Sequence, residues 1–483
     1  MRINTHHMIA AGFAILFSFP FIASNIYYVD DIYRSMTGFG GWTGMGRPGA
    51  DILNSLFSLA FGSTVDVAPL TQMFSAILLF LSYLLCGKSL SINKYNIYTF
   101  ALLPIIINPF FIQNMAYRYD SFSMAFAVFS VCASFYYSRK PGHIYLLSSV
   151  LLSVISLCMY QSALNIFIGI TATAIIFDAD KYQKMSANLL RSSAIFIVSN
   201  VAYLSLMNIT GINTSGRGVI SLTGLSERVI DYILYFVNSI GFEEFKFFAF
   251  YLTMSYLAIF IIIFKNKQNK KPKAIDLFVL ISSPLAALLS IFGALPLIEN
   301  QSPQARLLTG AAGFLVFFGV SISVVGNFAA EKIGRLCNPT YITIVVAIYL
   351  VSLPYSFVNA QKKQTEFDLN VVHDAVSDIR KNFSENDYDK ITTLGGTPKV
   401  RQVFVNSRNT PLIKDIVSSM YDFTSSLYLK EAYLNNVYFD FNRSRTKSYF
   451  DKNKHLSHKT IVSERYSIYN IHGTLYVVFN TEW

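Results

Sequence analysis

Eleven apolar runs, each near the length of a helix that crosses a bilayer, limit what this chain can fold into: residues 8–24, 67–86, 97–111, 122–137, 144–159, 163–177, 193–207, 247–264, 275–298, 307–328 and 342–358. A helix needs roughly 20 apolar residues to span the hydrocarbon core, and several runs are at the short end. The reading is a polytopic α-helical membrane protein of about eleven transmembrane helices. Composition agrees, with 53% hydrophobic and 14% charged residues over 483 positions, where soluble domains carry about a quarter charged. The first run has a basic flank, MRINTHH, but no small-residue cleavage site closes it. It is read as a retained helix and not as a signal peptide.

Lysine and arginine orient the runs. With the N-terminus inside, the cytoplasmic connections hold Lys88 and Lys94, Arg139 and Lys140, Lys181, Lys184 and Arg191, and the segment KNKQNKKPK at 265–273. The opposite connections hold Arg34, Arg47, Arg118, Arg217, Arg228, Lys246 and Arg306. That is about half as many, so the positive-inside rule places the N-terminus in the cytoplasm. The formal charge of +11 reports this bias and attraction to anionic membrane lipids, and gives no reason to invoke nucleic acid. Cys86, Cys132, Cys158 and Cys337 lie in or beside apolar runs, so no disulfide pair is expected outside the membrane.

Past residue 358 the composition changes. Residues 359–483 contain no span-length apolar run and alternate a helical stretch at 367–383 with short strand-like ones at 390–394, 460–464 and 474–479. The expected division is a membrane domain, 1–358, and a soluble α/β domain, 359–483, on the outer face after an odd number of spans.

The loop after the first run, residues 25–51, reads NIYYVDDIYRSMTGFGGWTGMGRPGAD. Asp30, Asp31, Arg34, Trp42 and Arg47 stand where the chain leaves the bilayer. Charge at that boundary is costly to leave unpaired, which makes a functional site the default over an ordinary hydrophilic loop. Residues 50–62 carry an apolar stripe that suits a short amphipathic helix on the membrane surface. Further polar residues fall at the same predicted face: Arg118 and Asp120 in NMAYRYDS, Tyr160 and Gln161 in CMYQSALN, Glu243 and Glu244 before the eighth run, and Arg306 in ENQSPQAR. For Arg118 and Asp120 alone, a salt bridge between helix ends is the simpler account. Tyr160 also fits an ordinary aromatic belt.

Carboxylates beside arginines at a membrane surface suit group transfer from a lipid-linked phosphate. The acid accepts a proton from the attacking hydroxyl, and guanidinium groups neutralise the departing phosphate. No H-E-x-x-H, P-loop, G-x-S-x-G or paired C-x-x-C occurs, which argues against zinc proteases, nucleotide hydrolases and serine hydrolases. His6 with His7, and His455 with His458, read as incidental surface pairs.

The pattern YYVDDIYRSMTGFGGWTGMGRPGADIL, with RYDSFSM at 118–124 and YQSALNIF at 160–167, resembles the type-specific O-antigen glucosyltransferases, the Gtr family associated with serotype-converting bacteriophages. The likeness covers roughly residues 1–330. It implies a GT-C type glycosyltransferase of the bacterial inner membrane that moves glucose from undecaprenyl phosphate-glucose to the O-antigen of lipopolysaccharide on the periplasmic face, with inversion. It also implies a separate donor synthase and a small flippase as partners. By the same resemblance, Asp30 and Asp31 are candidate bases. Arg34, Arg47, Arg118 and Arg306 are candidate phosphate ligands, and Trp42, Asp120, Tyr160, Gln161, Glu243 and Glu244 candidate substrate contacts.

Two other classes suit the composition, a sugar-lipid flippase or transporter and an O-antigen polymerase or ligase. A transporter would place ionisable groups nearer the bilayer midplane. A polymerase or ligase would gather its arginines in one large outer loop. Of the adjacent acids, one faces the acceptor hydroxyl and the other orients the loop or binds a divalent cation, and Asp30 is favoured as the base because Asp31 and Arg34 are spaced to pair on a helical turn. No other cofactor is implied. Tyr421, Tyr428, Tyr433 and Tyr438 in the C-terminal region are candidates for stacking on an acceptor sugar, or for filling that domain's core.

Overall fold

The computed structural model describes residues 5–90, 96–179, 185–212, 221–266, 273–299, 301–334, 339–432, 434, 436–439 and 442–481. Lys94, Lys181, Lys184, Arg217, Lys267, Lys270, Lys271, Cys337 and Tyr433 lie outside them. The chain forms two compact units, one of Met1–Asn25 with Phe39–Tyr355 and one of Ile26–Gly38 with Ser356–Trp483.

The first unit holds α1 (Thr5–Ser24), and α2 (Asp30–Thr37) falls in the second. The first unit continues with α3 (Pro48–Ser58), α4 (Leu70–Ser89), α5 (Ile112–Ala116), α6 (Ser121–Ser138), α7 (His143–Met159), α8 (Asn165–Ala179), α9 (Met185–Ile209), α10 (Leu225–Ser239), α11 (Glu244–Asn266), α12 (Ala274–Leu289) and α13 (Ala311–Ile333). The long helix α14 (Pro339–Asn382) passes from one unit into the other.

Among the described residues eight helices are long and apolar enough to cross a membrane: α1, α4, α6, α9, α11, α14, and α8 and α13 with their 3-10 lead-ins. They are the helices of a membrane protein. In lipid each backbone polar group must be satisfied inside its own segment, so apolar runs become helices. The expectation of about eleven spans meets three shorter apolar helices, at Phe100–Ala116, His143–Met159 and Ala274–Leu289. Pro104 and Pro109 lie in the 3-10 segments Asn96–Ile105 and Pro109–Phe111, which replace a regular α-helix there because proline supplies no N–H to the ladder. The run at 275–298 ends its α-helix at Leu289 and turns at Gly293 (φ 53).

Small residues let these helices approach closely. Gly169 of α8 faces Gly313 of α13 so tightly that a β-carbon on Gly169 would come 2.4 Å from the Gly313 carbonyl carbon. Ser134 of α6 bonds the Ser149 carbonyl (2.8 Å) and the Ser153 hydroxyl (2.8 Å) of α7. A short helix, α3, covers the first part of the 50–62 stretch, with Ile52 and Leu56 exposed and Ala50 and Asn54 buried.

The second unit is built on a four-stranded sheet of order β1-β4-β3-β2, where β1 is Lys390–Gly395, β2 Thr460–Val462, β3 Tyr466–Ile471 and β4 Thr474–Phe479. β1 runs parallel to β4, and the remaining pairs are antiparallel. Three of the strands lie where the alternation predicts; β3 does not figure in that reading. Its signal is the dipeptide His472–Gly473, both at positive φ (48 and 73), the two-residue turn that joins a hairpin. Val371, Val372, Ala375 and Ile379 of α14 pack on Ile391, Ile468, Leu475 and Val477 of the sheet, with Leu429 of α17 (Asp422–Glu431). Ile32 of α2 is part of this core. Residues 26–38 therefore group with the C-terminal region, where the sequence division assigns them to 1–358. The short helices α15 (Arg401–Asn406) and α16 (Leu412–Ile416) precede α17, and α18 (Arg443–Asn453) follows it.

A polar stripe on α14 orders the loops beside the sheet. Asp368, fully enclosed, accepts from Gln364 Nε2 (2.9 Å), Thr397 Oγ1 (2.5 Å) and the Met420 N–H (2.9 Å). Burial pushes its carboxyl up to about 6 against the pull of those three donors.

Candidate active site

The glycine-rich stretch before α3 is an ordered turn. Gly46 adopts φ 74, a conformation that glycine reaches without strain. Its carbonyl accepts from Gln161 Nε2 (3.0 Å) and Tyr203 Oη (2.7 Å). A β-carbon on Gly40 would come 2.6 Å from the Asp51 carboxylate and 2.7 Å from the Trp42 ring. Arg47 follows as the N-cap of α3, with Pro48 pre-set for the first helical position. Its N–H donates to the Trp42 carbonyl (3.0 Å).

Four segments far apart in sequence then meet. Arg47 donates Nε to Gln161 Oε1 (3.1 Å), and its guanidinium lies 4.5 Å from the centroid of the Tyr160 ring. Tyr160, at the α7–α8 junction, donates its hydroxyl to the Arg306 carbonyl (2.6 Å). Arg306 donates Nη1 to Tyr117 Oη (2.8 Å) and Nε to Gln304 Oε1 (3.1 Å). Its backbone N–H goes to Gln113 Oε1 (3.0 Å), and its carbonyl also accepts from Thr309 Oγ1 (3.1 Å). The arginine is thus held at both ends of its peptide unit while the guanidinium reaches across Tyr117, 5.6 Å from that ring's centroid. Trp42 donates Nε1 to Asp120 Oδ1 at 2.5 Å, and both side chains are buried.

Of the residues singled out from sequence, Trp42, Arg47, Asp120, Tyr160, Gln161 and Arg306 belong to this connected arrangement. Arg118 is engaged elsewhere in the same unit, with Asp66 (2.9 Å) and Asn25 (3.0 Å). The ion pair joins the turn before α6 to the loop before α4. Glu243 and Glu244 are exposed at the start of α11, where Glu243 pairs with Lys246. Asp30, Asp31 and Arg34 lie on α2 in the second unit. Asp31 is fully buried and takes the Tyr28 N–H on Oδ2 (3.1 Å), and Asp30 is half-buried. Tyr421 and Tyr438 are exposed and Tyr428 belongs to the sheet core. Among the described residues no group of three His, Cys, Asp or Glu gathers as a metal site would.

Sequence reasoning missed Gln113, Tyr117, Tyr203 and Asp66. Tyr117 adjoins Arg118 in a stretch already noted, and Asp66 is a boundary carboxylate of the same kind as Asp120. Gln113 and Tyr203 sit inside apolar helical sequence and carry no local signal.

Arg47 and Arg306 are thus each held by a tyrosine and by an amide oxygen. A protein of Salmonella phage P22 described as "Uncharacterized 55.3 kDa protein in gtrB 5'region" is 33% identical over 196 residues, which is 40% of this chain and 40% of that protein. No solved structure matches the chain. The profile of the family Glucosyl transferase GtrII matches residues 19–323, a span that contains every residue of the Arg47–Tyr160–Arg306 arrangement. The chain belongs to the GtrII glucosyl transferase family.

Proposed function

We propose that the protein moves glucose from undecaprenyl phosphate-glucose to the O-antigen of lipopolysaccharide at the periplasmic face of the bacterial inner membrane, by general-base catalysis with inversion. The observation that carries the donor assignment is the joining of Arg47 to Arg306 through Tyr160. Planar guanidinium groups match phosphate oxygens in pairs, and partial burial strengthens them toward the charge that builds on the leaving phosphate. Asp30 is the proposed base, on its carboxylate chemistry and half-buried position. Asp31 spends one oxygen on the Tyr28 N–H and orients α2 or takes part in binding a divalent cation. The soluble region supplies acceptor contacts through Tyr421 and Tyr438. A donor synthase and a small flippase would deliver the donor to this face.

The test is incubation of the purified full-length protein with polyprenyl-phosphate-linked glucose and an O-antigen acceptor. Glucosylated acceptor with inverted anomeric configuration is expected. Donor movement across vesicle membranes without any transfer would support a flippase instead. A reporter fused after Trp483 that is active only in the cytoplasm would overturn the proposed orientation.

A further inference from the structure

The segment that follows β1 is fastened to α14 at successive heights. Asn406 Nδ2 donates to the Ser356 carbonyl (2.8 Å). Gln361 donates to the Ser418 carbonyl (2.9 Å) and accepts the Ser418 N–H (2.8 Å). Gln364 donates to the Pro398 carbonyl (3.0 Å) and accepts the Val400 N–H (2.9 Å). The first of these levels, Ser356, lies inside the apolar run that ends at residue 358. Asp368 stands about 18 Å further along the helix at its usual rise. Residues 401–406 are therefore held beside the end of the apolar run of α14.

What α15 presents there is unusual for a water-facing surface. Phe404 and Val405 are adjacent and each 47% exposed. Arg401, Arg408 and Lys414 are exposed around them, and Lys414 Nζ sits 5.1 Å from the Phe404 ring centroid. Asp415 is the one carboxylate between positions 399 and 418. Lys399 does not share this role, since it is turned onto the Lys414 carbonyl.

We propose that α15 and its flanks form an interfacial foot that seats on the anionic lipid headgroups of the leaflet α14 enters. Phe404 and Val405 enter the headgroup layer, and Arg401, Arg408 and Lys414 pair with lipid phosphates. Two observations select lipid as the occupant: the excess of positive charge around the apolar pair, and the bond to Ser356 that holds the patch at the end of the apolar helix. The inference stands independently of the donor and acceptor assignments.

The experiment places a nitroxide label at Val405→Cys in the full-length protein, reconstituted in vesicles with and without phosphatidylglycerol. Collision rates with oxygen and with a water-soluble nickel chelate are then compared with those of a label at Tyr449→Cys on α18. In anionic vesicles the label at 405 is expected to be oxygen-accessible and shielded from nickel, while the label at 449 is nickel-accessible. Each basic residue near an anionic surface strengthens the contact about fivefold. Replacing Arg401, Arg408 and Lys414 by Gln, or omitting phosphatidylglycerol, should therefore expose the label to nickel. Equal nickel access at 405 and 449 in anionic vesicles overturns the foot. Shielding that persists in neutral vesicles and in the Gln variant overturns the headgroup assignment. If Val405→Cys fails to fold, Gln402→Cys reads the same patch.

Discussion

Arg47 lies over the ring of Tyr160, 4.5 Å from its centroid, while the tyrosine's hydroxyl holds the Arg306 carbonyl at 2.6 Å. One side chain thereby relates two cations carried by segments more than 250 residues apart in sequence.

Replacing Arg47 or Arg306 by Lys keeps the charge and loses the forked geometry. The loss of charge-assisted bonds to phosphate is expected to weaken donor binding by about 1.5–3 kcal/mol, or roughly ten- to hundredfold. Titration of each variant with polyprenyl-phosphate-glucose checks this. Unchanged affinity in both variants rejects the assignment.

The acid pair should separate by role. Asp30→Asn is expected to abolish turnover with donor binding intact. Asp31→Asn should retain some activity and lose about 1 kcal/mol of stability, since a buried acceptor of the Tyr28 N–H is changed. Turnover and thermal unfolding measured on both variants decide between them. Near-normal turnover in Asp30→Asn removes it as the base.

Tyr421→Leu and Tyr438→Leu remove exposed rings. Each is expected to raise the acceptor KM by about tenfold, the scale of one lost ring contact, with the donor KM unaffected. Tyr428→Leu, in the sheet core, should lower stability instead. An acceptor KM within twofold of the parent in both exposed-site variants would refute the acceptor role.

Asp368 predicts a pH dependence confined to the second unit. Its carboxyl is pushed from 3.8 up to about 6 by burial, so between those values the folded state binds more protons than the unfolded one. Stability from this group is full below the unfolded value, falls as pH rises through about 4 to 6, and is flat above, a change of about 3 kcal/mol. Pulse proteolysis of residues 359–483 within the full chain, from pH 4 to 7, should show a slope that Asp368→Asn removes. A variant with the parent's slope contradicts the prediction.

Gly169→Ala drives a methyl into the Gly313 backbone and is expected to cost about 1–3 kcal/mol. Gly12→Ala, with open space around it, should be neutral or slightly stabilising. Heat-induced aggregation in detergent compares the two, and equal behaviour would show that α8 and α13 part readily.

The apolar runs by themselves determined the helical membrane architecture, because a backbone in hydrocarbon has to satisfy its hydrogen bonds locally. They likewise determined the change to an alternating helix-and-strand region after residue 358. Arg47, Tyr160, Gln161 and Arg306 were legible as boundary polar residues, each from its own short stretch. Only the tertiary structure decided their partners. Trp42 meets Asp120 across 78 positions, Arg118 pairs with Asp66, and Ile32 draws residues 26–38 into the core of the C-terminal unit. Gln113 and Tyr203 act from within apolar sequence. Local pattern reports how each residue stands to water and lipid, but a side chain's partner depends on which helix ends become neighbours, and that is settled by long-range packing.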